Sequence, residues 1–357
     1  MILQLIKMQE NMQYDISKAV DSVTWSGSVL NAGRSVEFAL LNDPYDPGLK
    51  IPAVCTGDYI ALSDGDELFY GQIFNVERST AIGTITYTAY DIMKNLLESN
   101  GRYNFKNLTP EAIAEQVLAD IEVPYNHLEP TGINIKSMIC DSSPYYDIIL
   151  GAYTQAYRMT GKRYLPMIWQ REFGVWPAVY TVGNFTLSDE SNITAASLSE
   201  SMDGIKNVIK IYDDKGNQVG EVSNDPSTYV YGIFADVYEQ EKGVDPTTAA
   251  NNMLKVDPEQ KITISAVGDL NCLSGYSVIV KDAATGLSGK YWITSDKHTW
   301  QNNVHSPIGV YPSGAVTGTL KSADFQAPKF IVPLVLFILS KLCESPFYSQ
   351  SYSNGSL

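Results

Sequence analysis

The sequence predicts an α+β chain, mainly β, in which two β regions flank an α/β segment. Three observations predict it. Short β-prone runs separated by Gly- and Asp-bearing turns fill roughly the first 95 residues. Two capped helical segments, each with one apolar face, occupy the middle. From about Gly204 strand character returns. Length agrees, since 357 residues accommodate two or three domains of about 100–200 residues each.

In the first region the β-prone runs are residues 35–41, 59–62, 68–76 and 84–89. Ser63-Asp64-Gly65-Asp66 and Gly83 supply the turns, and strands this short at this spacing predict a small barrel or sandwich. Asp43-Pro44-Tyr45-Asp46-Pro47-Gly48 reads as a loop. Thr109 then caps a helix that Pro110 and Glu111 begin. Ile113, Val117, Leu118 and Ile121 line its apolar face, and Pro124 is expected to end it. A second helix is expected over residues 144–160, capped by Ser143 and closed by Gly161. Its buried stripe is Ile148, Ile149, Ala152, Tyr153, Ala156 and Tyr157. Aromatic strands at residues 168–170 and 179–180 are expected to flank residues 173–177.

The last region starts with a strand over residues 207–212, a turn at Asp213-Asp214-Lys215-Gly216-Asn217 and a returning strand over 218–222. A helix over residues 247–254 follows Asp245-Pro246, and strands follow at 261–267, 277–281 and 290–295. The two β regions share a spacing. Gly57, Asp64 and Gly71 are seven and seven residues apart, as are Gly275, Asp282 and Gly289. The pattern is that of a strand, a turn and a strand used twice.

Composition narrows function by exclusion. With 44% hydrophobic and 18% charged residues, the chain can fill more than one core. A net charge of −15 removes the electrostatic attraction that drives nucleic-acid binding, and leaves solubility, an acidic channel or a basic partner as its use. Cys55, Cys140, Cys272 and Cys343 have neither CxxC spacing nor histidines at zinc-ligand spacing, so they read as buried free thiols. No signal peptide is expected, because Lys7, Gln9 and Glu10 break the apolar start. The run Phe330 to Leu339 is ten residues and holds Pro333, half of what a membrane helix of about 20 residues needs. It is either a docking segment or an altered C-terminus.

Enzyme motifs are missing: there is no GxSxG, HExxH, Walker loop or Rossmann fingerprint. Asp296-Lys297-His298 with His305 has the residue types of a metal or general-base site, but the plainer reading has His298 closing a strand and bonding its own turn. Asp189 with Glu190, and Glu239 with Glu241, could pair as glycosidase carboxylates, yet they sit in solvated polar runs. Tyr145, Tyr146, Tyr153, Tyr157 and Tyr164 are of a type that binds sugars or builds interfaces, and helical spacing favours core or interface. No catalytic, cofactor-binding or metal-binding residue is therefore assigned.

Several motifs carry a family resemblance over about residues 20–315. They are Trp25-Ser26-Gly27 with Arg34 and Phe38, Gly57-Asp58-Tyr59-Ile60, Phe69-Tyr70-Gly71-Gln72-Ile73 and Tyr87-Thr88-Ala89-Tyr90-Asp91. Asp203-Gly204-Ile205-Lys206-Asn207-Val208-Ile209 and Gly289-Lys290-Tyr291-Trp292-Ile293, with His298 and Trp300, complete the set. In their order they resemble the tail-hub family of contractile phages, late control protein D-like, in its PBSX-type prophage branch. The resemblance implies two tube-like β-barrel domains separated by an α/β insert: 1–95 and 196–322 for the barrels, 96–195 for the insert and 323–357 for a C-terminal tail. It implies a homotrimer whose six barrels form a pseudo-six-fold ring joining the tail tube to the central spike in the baseplate of a phage tail or tail-like bacteriocin. Implied partners are the tube protein, the spike, other baseplate proteins and the tape measure, with assembly in the host cytoplasm and no membrane span. The expected role is structural. The alternatives are a peptidoglycan hydrolase of the tail tip and a sugar-binding module.

Overall fold

A computed structural model of the chain describes residues 1–29, 33–42, 48, 51–78, 83–178, 181–240, 245–267, 269–301 and 315–322. The loop residues 43–47, residues 179–180, Glu241, His305, Cys343 and the apolar run 330–339 lie outside them.

The first unit holds β1 (Ile2–Lys7), β2 (Met12–Asp15), β3 (Val20–Ser28), β4 (Ser35–Asn42), β5 (Tyr59–Asp64), β6 (Asp66–Glu77) and β7 (Gly83–Tyr90). Period-two patterning builds it. In β4, Val36, Phe38 and Leu40 point inward and Ser35, Glu37 and Ala39 are less buried. The inward residues join Leu3, Leu5, Val23, Trp25, Ile60, Leu62, Ile73 and Tyr87 in one core. Burying each large side chain contributes about 1.5–3 kcal/mol. The start of the chain, read above only as an apolar run broken by Lys7, is β1, paired with β5.

A middle unit follows: α1 (Met93–Glu98), β8 (Asn100–Leu108), α2 (Pro110–Asp120), β9 (Tyr125–Leu128), β10 (Ile135–Pro144), α3 (Tyr145–Thr160), β11 (Tyr164–Trp169) and β12 (Glu172–Pro177). The Thr109 hydroxyl accepts from the Ala112 amide at 3.4 Å, the expected cap of α2. That helix ends at Asp120, before Pro124, with Ile121 as its C-cap and Glu122 at φ +55°. Ser143 is no cap. Pro144 is itself extended, at ψ 139°, and still paired in β10, so it takes the N-cap position; Ser143 lies one residue too early, opposite Gly101, and α3 begins after Pro144 without a side-chain cap. Gly161 closes α3 at φ +72°. Residues 173–177, expected between strands, are themselves in β12, which pairs with β11 on one side and runs parallel to β9 on the other. Tyr153 lies in this unit's core and its hydroxyl donates to the Glu129 carbonyl at 3.1 Å; Tyr145, Tyr146 and Tyr164 pack around that core.

The last part comprises β13 (Thr181–Ser188), β14 (Ile193–Ser201), β15 (Val208–Tyr212), β16 (Gln218–Ser223), α4 (Asp225–Tyr231), β17 (Ala235–Glu239), α5 (Pro246–Met253), β18 (Glu259–Val267), β19 (Ser277–Asp282), β20 (Leu287–Gln301) and β21 (Ala315–Ser322). The expected turn after β15 is held by Asp213, whose carboxylate accepts from the Lys215 and Asn217 amides at 2.9 and 2.8 Å. β15, β16 and β17 form a separate three-stranded sheet with its own small core of Ile209, Ile211, Tyr238 and Ala250, inserted between β14 and β18. Asn207 fixes this insert. Its amide donates to the Gly232 carbonyl at 2.7 Å and its carbonyl accepts from the Phe234 amide at 2.8 Å. The other strands of this part surround a core of Leu187, Ile262, Ile264, Val278, Val280, Leu287 and Ile293.

The architecture is thus α+β and mainly β. One 13-stranded sheet follows the order β14-β18-β21-β20-β3-β4-β7-β6-β5-β1-β2, with β19 on β20 and β13 on β19. Among the described residues its path does not close on itself. No helix among them is long and apolar enough to cross a membrane.

Candidate assembly interface

The sheet contains the same five-strand unit twice. In the first copy the order is β3-β4-β7-β6-β5; in the second it is β14-β18-β21-β20-β19. Every pairing within both runs is antiparallel. Two irregularities coincide as well, although the one between Leu62 and Ser63 in the β5–β6 pairing has no counterpart between β19 and β20. The bulge between Ile73 and Asn75 in β6 is matched by one between Ile293 and Ser295 in β20. The bulge between Val20 and Ser22 in β3 is matched by one between Ile193 and Ala195 in β14. Bulges are placed features of a sheet, so two shared ones identify a repeat more firmly than strand order alone.

Hydrogen bonds leading into the hairpins repeat atom for atom. The Gly57 amide donates to Ile73 O at 2.9 Å and the Ile73 amide to Asp58 O at 2.8 Å. The Gly275 amide donates to Ile293 O at 2.8 Å and the Ile293 amide to Tyr276 O at 2.8 Å. Gly57 and Gly275 share a left-handed backbone, φ +92° and +90°, and Asp64 and Asp282 each end their strand. The third member of the sequence pattern does not correspond. Gly71 stands opposite Ile60, whereas Gly289 stands opposite Val280, the partner of Gly289 lying two residues further along its strand than the partner of Gly71. The second hairpin is two residues longer, so its equal seven-residue spacing falls on a different register position.

One strand joins the two units. The first half of β20 pairs with β19, and its second half pairs with β3, from Ser295 opposite Ser28 to Gln301 opposite Ser22. A buried ionic cluster sits at this seam. The Arg34 guanidinium grips Asp296 through both terminal nitrogens, Nη1 to Oδ1 at 3.1 Å and Nη2 to Oδ2 closer still. The Asp296 side chain is 0% exposed. Its Oδ1 also accepts from the Ser274 amide at 2.7 Å. Burial opposes ionisation of Asp296, but Arg34 and His298 outweigh it and hold the carboxyl well below the usual range. Arg34 lies over the Trp25 ring at 4.1 Å, and Trp25 packs on His298 at 5.2 Å. Gly27 is required here, because a methyl group on it would overlap the guanidinium. Leu273, from the second unit, is buried in the first unit's core, and the Trp300 indole donates to Asp64 at 3.2 Å.

His298 therefore does not close a strand. It lies inside β20, buried, with Nε2 3.3 Å from both Asp296 Oδ2 and the Cys272 carbonyl. The long strand continues because β3 offers it a second partner, which nothing local in the sequence announces. Asp91, the last residue of a quoted motif, accepts from the Arg34 and Met93 amides at 3.0 and 3.1 Å, and complete burial raises its carboxyl to about 7. Burial likewise pushes the Cys272 thiol up to about 12, and Cys140 is buried too, whereas Cys55, expected to be buried, is exposed in the segment leading to β5. Asp189 accepts from the Ala283 amide at 2.8 Å, and Glu190 and Glu239 are exposed. Among the described residues no three His, Cys, Asp or Glu side chains come together as a metal site.

Among the described residues β2, β13 and β14 each end the sheet with a single partner strand, and part of β6 is uncovered as well. β14 ends the sheet path, with β18 as its one partner strand. In β6, residues 59–64 of β5 cover positions 66–72, and among the described residues the stretch Asn75–Glu77 has β7 on one side and no strand on the other. A further exposed feature is apolar: Tyr229, Val230, Ile233 and Val237 on the α4–β17 insert are half or more exposed.

The chain is similar to two curated proteins of Bacillus subtilis, strain 168. The uncharacterized protein YqbQ and the phage-like element PBSX protein XkdQ are each 26% identical to it over 299 residues, covering 80% of this chain and 90% of theirs. In fold it is similar to the 43 kDa tail protein of prophage MuSo2 from Shewanella oneidensis, with a TM-score of 0.70 at 13% identity over 91% of this chain and 99% of that one. The PBSX-type branch expected from the motifs is the branch these relatives belong to. The YQBQ-like family model matches residues 23–306, and the chain belongs to that family.

Proposed function

We propose that the chain is a structural hub subunit of a phage-type tail baseplate, three copies of which form a pseudo-six-fold ring between the tail tube and the spike. The observation that carries this reading is the five-strand repeat joined edge to edge by β20 and β3. Two similar units in one chain, fused side by side, give six similar positions in a trimer, which is what an adaptor between six-fold and three-fold symmetry needs. The prophage tail origin of the related proteins supports the same reading, with the virion tail as its place of work. We assign residues 1–95 and 196–322 to the two tube-like barrels, 96–195 to the insert between them, and residues 202–258 to a smaller insert within the second. The barrels close in the ring rather than within one chain.

The work is structural. Asp91 and Asp296, the most deeply buried carboxylates at the seam, are occupied by backbone amides and Arg34 and face no cleft. Mass photometry with negative-stain imaging of the concentrated protein tests the reading. Three-copy particles with six lobes around a central opening are expected. Closed rings of any other copy number contradict it.

A further inference from the structure

We propose that the open edge of β14 in one copy pairs antiparallel with the end of β6 in a second copy, in the register that β20 and β3 use within the chain. The inference deepens the hub reading and rests on it only for closure at three copies.

The repeat supplies the register. Within the first unit, Val76 stands opposite Tyr87, Tyr87 opposite Phe38 and Phe38 opposite Val23. Within the second, Asp296 stands opposite Gly318, Gly318 opposite Ile264 and Ile264 opposite Ala196. Val76 thus corresponds to Asp296 and Val23 to Ala196. Inside the chain, Ser295 pairs with Ser28, Asp296 with Gly27, Lys297 with Ser26 and His298 with Trp25. Carried across the repeat, Asn75 pairs with Ser201, Val76 with Glu200, Glu77 with Ser199 and Arg78 with Leu198 of the second copy.

Three features of the edges fit. The Ile73–Asn75 bulge turns the end of β6 away from β5, as the Ile293–Ser295 bulge turns β20 from β19 onto β3. The β14 edge, Ile193-Thr194-Ala195-Ala196-Ser197-Leu198-Ser199-Glu200-Ser201, carries no proline or lysine, the usual guards against strand addition. In the proposed register Arg78 lies diagonal to Glu200 on the same face, an opposite-charge neighbour of the kind that favours a pairing. The contact is head-to-tail, so each copy offers a β14 edge to one neighbour and a β6 end to the other.

The test uses the full chain with Cys55→Ser and Cys343→Ser, which removes the exposed thiol and the one beyond the described residues. Glu77 and Ser199 are both exposed, so the pair E77C/S199C leaves the cores intact. The control is E77C/A195C, four residues out of register, roughly 13 Å along the strand and beyond the Cβ separation of about 4 Å that a disulfide spans. Under mild oxidation the first pair is expected to cross-link copies and the second is not. Mixing the E77C and S199C single variants should give linked pairs, while S199C alone should give none. Absence of in-register linkage, or equal linkage by the control, overturns the inference. If particles remain trimeric without in-register linkage, the edge pairing falls and the hub reading stands. If linkage is in register but the ladder continues past three copies, the pairing stands and the closed trimer falls.

Discussion

Removing the Arg34 guanidinium tests whether the seam holds the two units together. Arg34→Met keeps the aliphatic stem against Trp25 and takes away the charge. Asp296 keeps the Ser274 amide at 2.7 Å and His298 at 3.3 Å but loses both guanidinium bonds. Its side chain is 0% exposed and that of Arg34 is 13% exposed, so solvent does little to replace the lost partner. Breaking such a buried pair from one side costs about 3–5 kcal/mol, a large share of the ~5–15 kcal/mol that holds a domain folded. Urea unfolding of the wild type, R34M, D296N and the double variant, followed by circular dichroism and Trp fluorescence, measures it. Each single variant is expected to lose about 3–5 kcal/mol. The double variant should be more stable than the summed losses predict, with a coupling of ~1–3 kcal/mol. A loss below about 1 kcal/mol for R34M, or strict additivity, would refute the claim that this pair locks the seam.

Other outcomes follow from the same geometry. Gly27→Ala should displace the guanidinium and cost ~1–3 kcal/mol by overpacking, read by the same urea titration. Gly57→Ala and Gly275→Ala both place a side chain at φ near +90°, which costs about 1–2 kcal/mol. Gly275→Ala should cost more, because its new methyl also meets Leu165 Cδ2 at 2.5 Å, while at Gly57 the nearest atom, Gln72 Nε2, lies 4.0 Å away. Asp91 should make stability fall with rising pH. Its carboxyl is at about 7 when folded and ~3.9 when unfolded, so between those values the folded state binds the extra proton. The slope approaches ~1.4 kcal/mol per pH unit, and a pH series of urea titrations on D91N should lack it. Asp296 has the opposite sign. Its depressed value contributes stability throughout that window, lost only as the pH falls below the range where the unfolded carboxyl titrates.

The elements were legible where their chemistry is local. Thr109 and Asp245 each precede a proline and cap helices through their own side chains, so a window of a few residues contains the whole cause, although α4, capped by Asn224 in the same way, is not among the helices expected from the sequence. The turn at Asp213 to Asn217 is self-contained in the same way. What stayed hidden depends on distant partners. β20 reads as a six-residue strand at residues 290–295, because the remainder is specified by β3, some 270 residues earlier. Ser143 looks like a cap because the Ser-Pro pair resembles Thr109-Pro110, but β10 runs on through Pro144 by pairing with β8, a partner some 40 residues earlier, and shifts the helix start by one residue. The seam was legible in a different sense. Trp25, Gly27, Arg34 and His298 entered through a family resemblance without a physical role, and the fold brings them together around Asp296.

The repeat itself shows why sequence alone gave only a partial echo. A strand pairing is made by backbone atoms, so a duplicated unit can exchange nearly every side chain while register and bulges persist. What remains recognisable are positions where the backbone makes a demand on the residue. Gly57 and Gly275 survive because φ near +90° excludes most side chains, and Asp64 and Asp282 persist at strand ends where turns begin. Gly71 and Gly289 answer unrelated demands. A side chain at Gly71 would strike the Tyr90 carbonyl and the Phe69 ring, while Gly289 meets no neighbour but sits at φ +144°. Their matching interval was coincidence resting on a true repeat. The seam inside the chain, by contrast, needs side chains: Arg34 leads into β4 of the first unit, Asp296 lies in β20 of the second, and the pair is made across the join. At the proposed second seam, between copies, Val76 stands where Asp296 does, so the Arg34–Asp296 pair has no counterpart there. On the proposed reading, a lasting lock inside the chain and a lighter, backbone-led contact between chains would let the subunit fold first and leave the contact between copies to assembly.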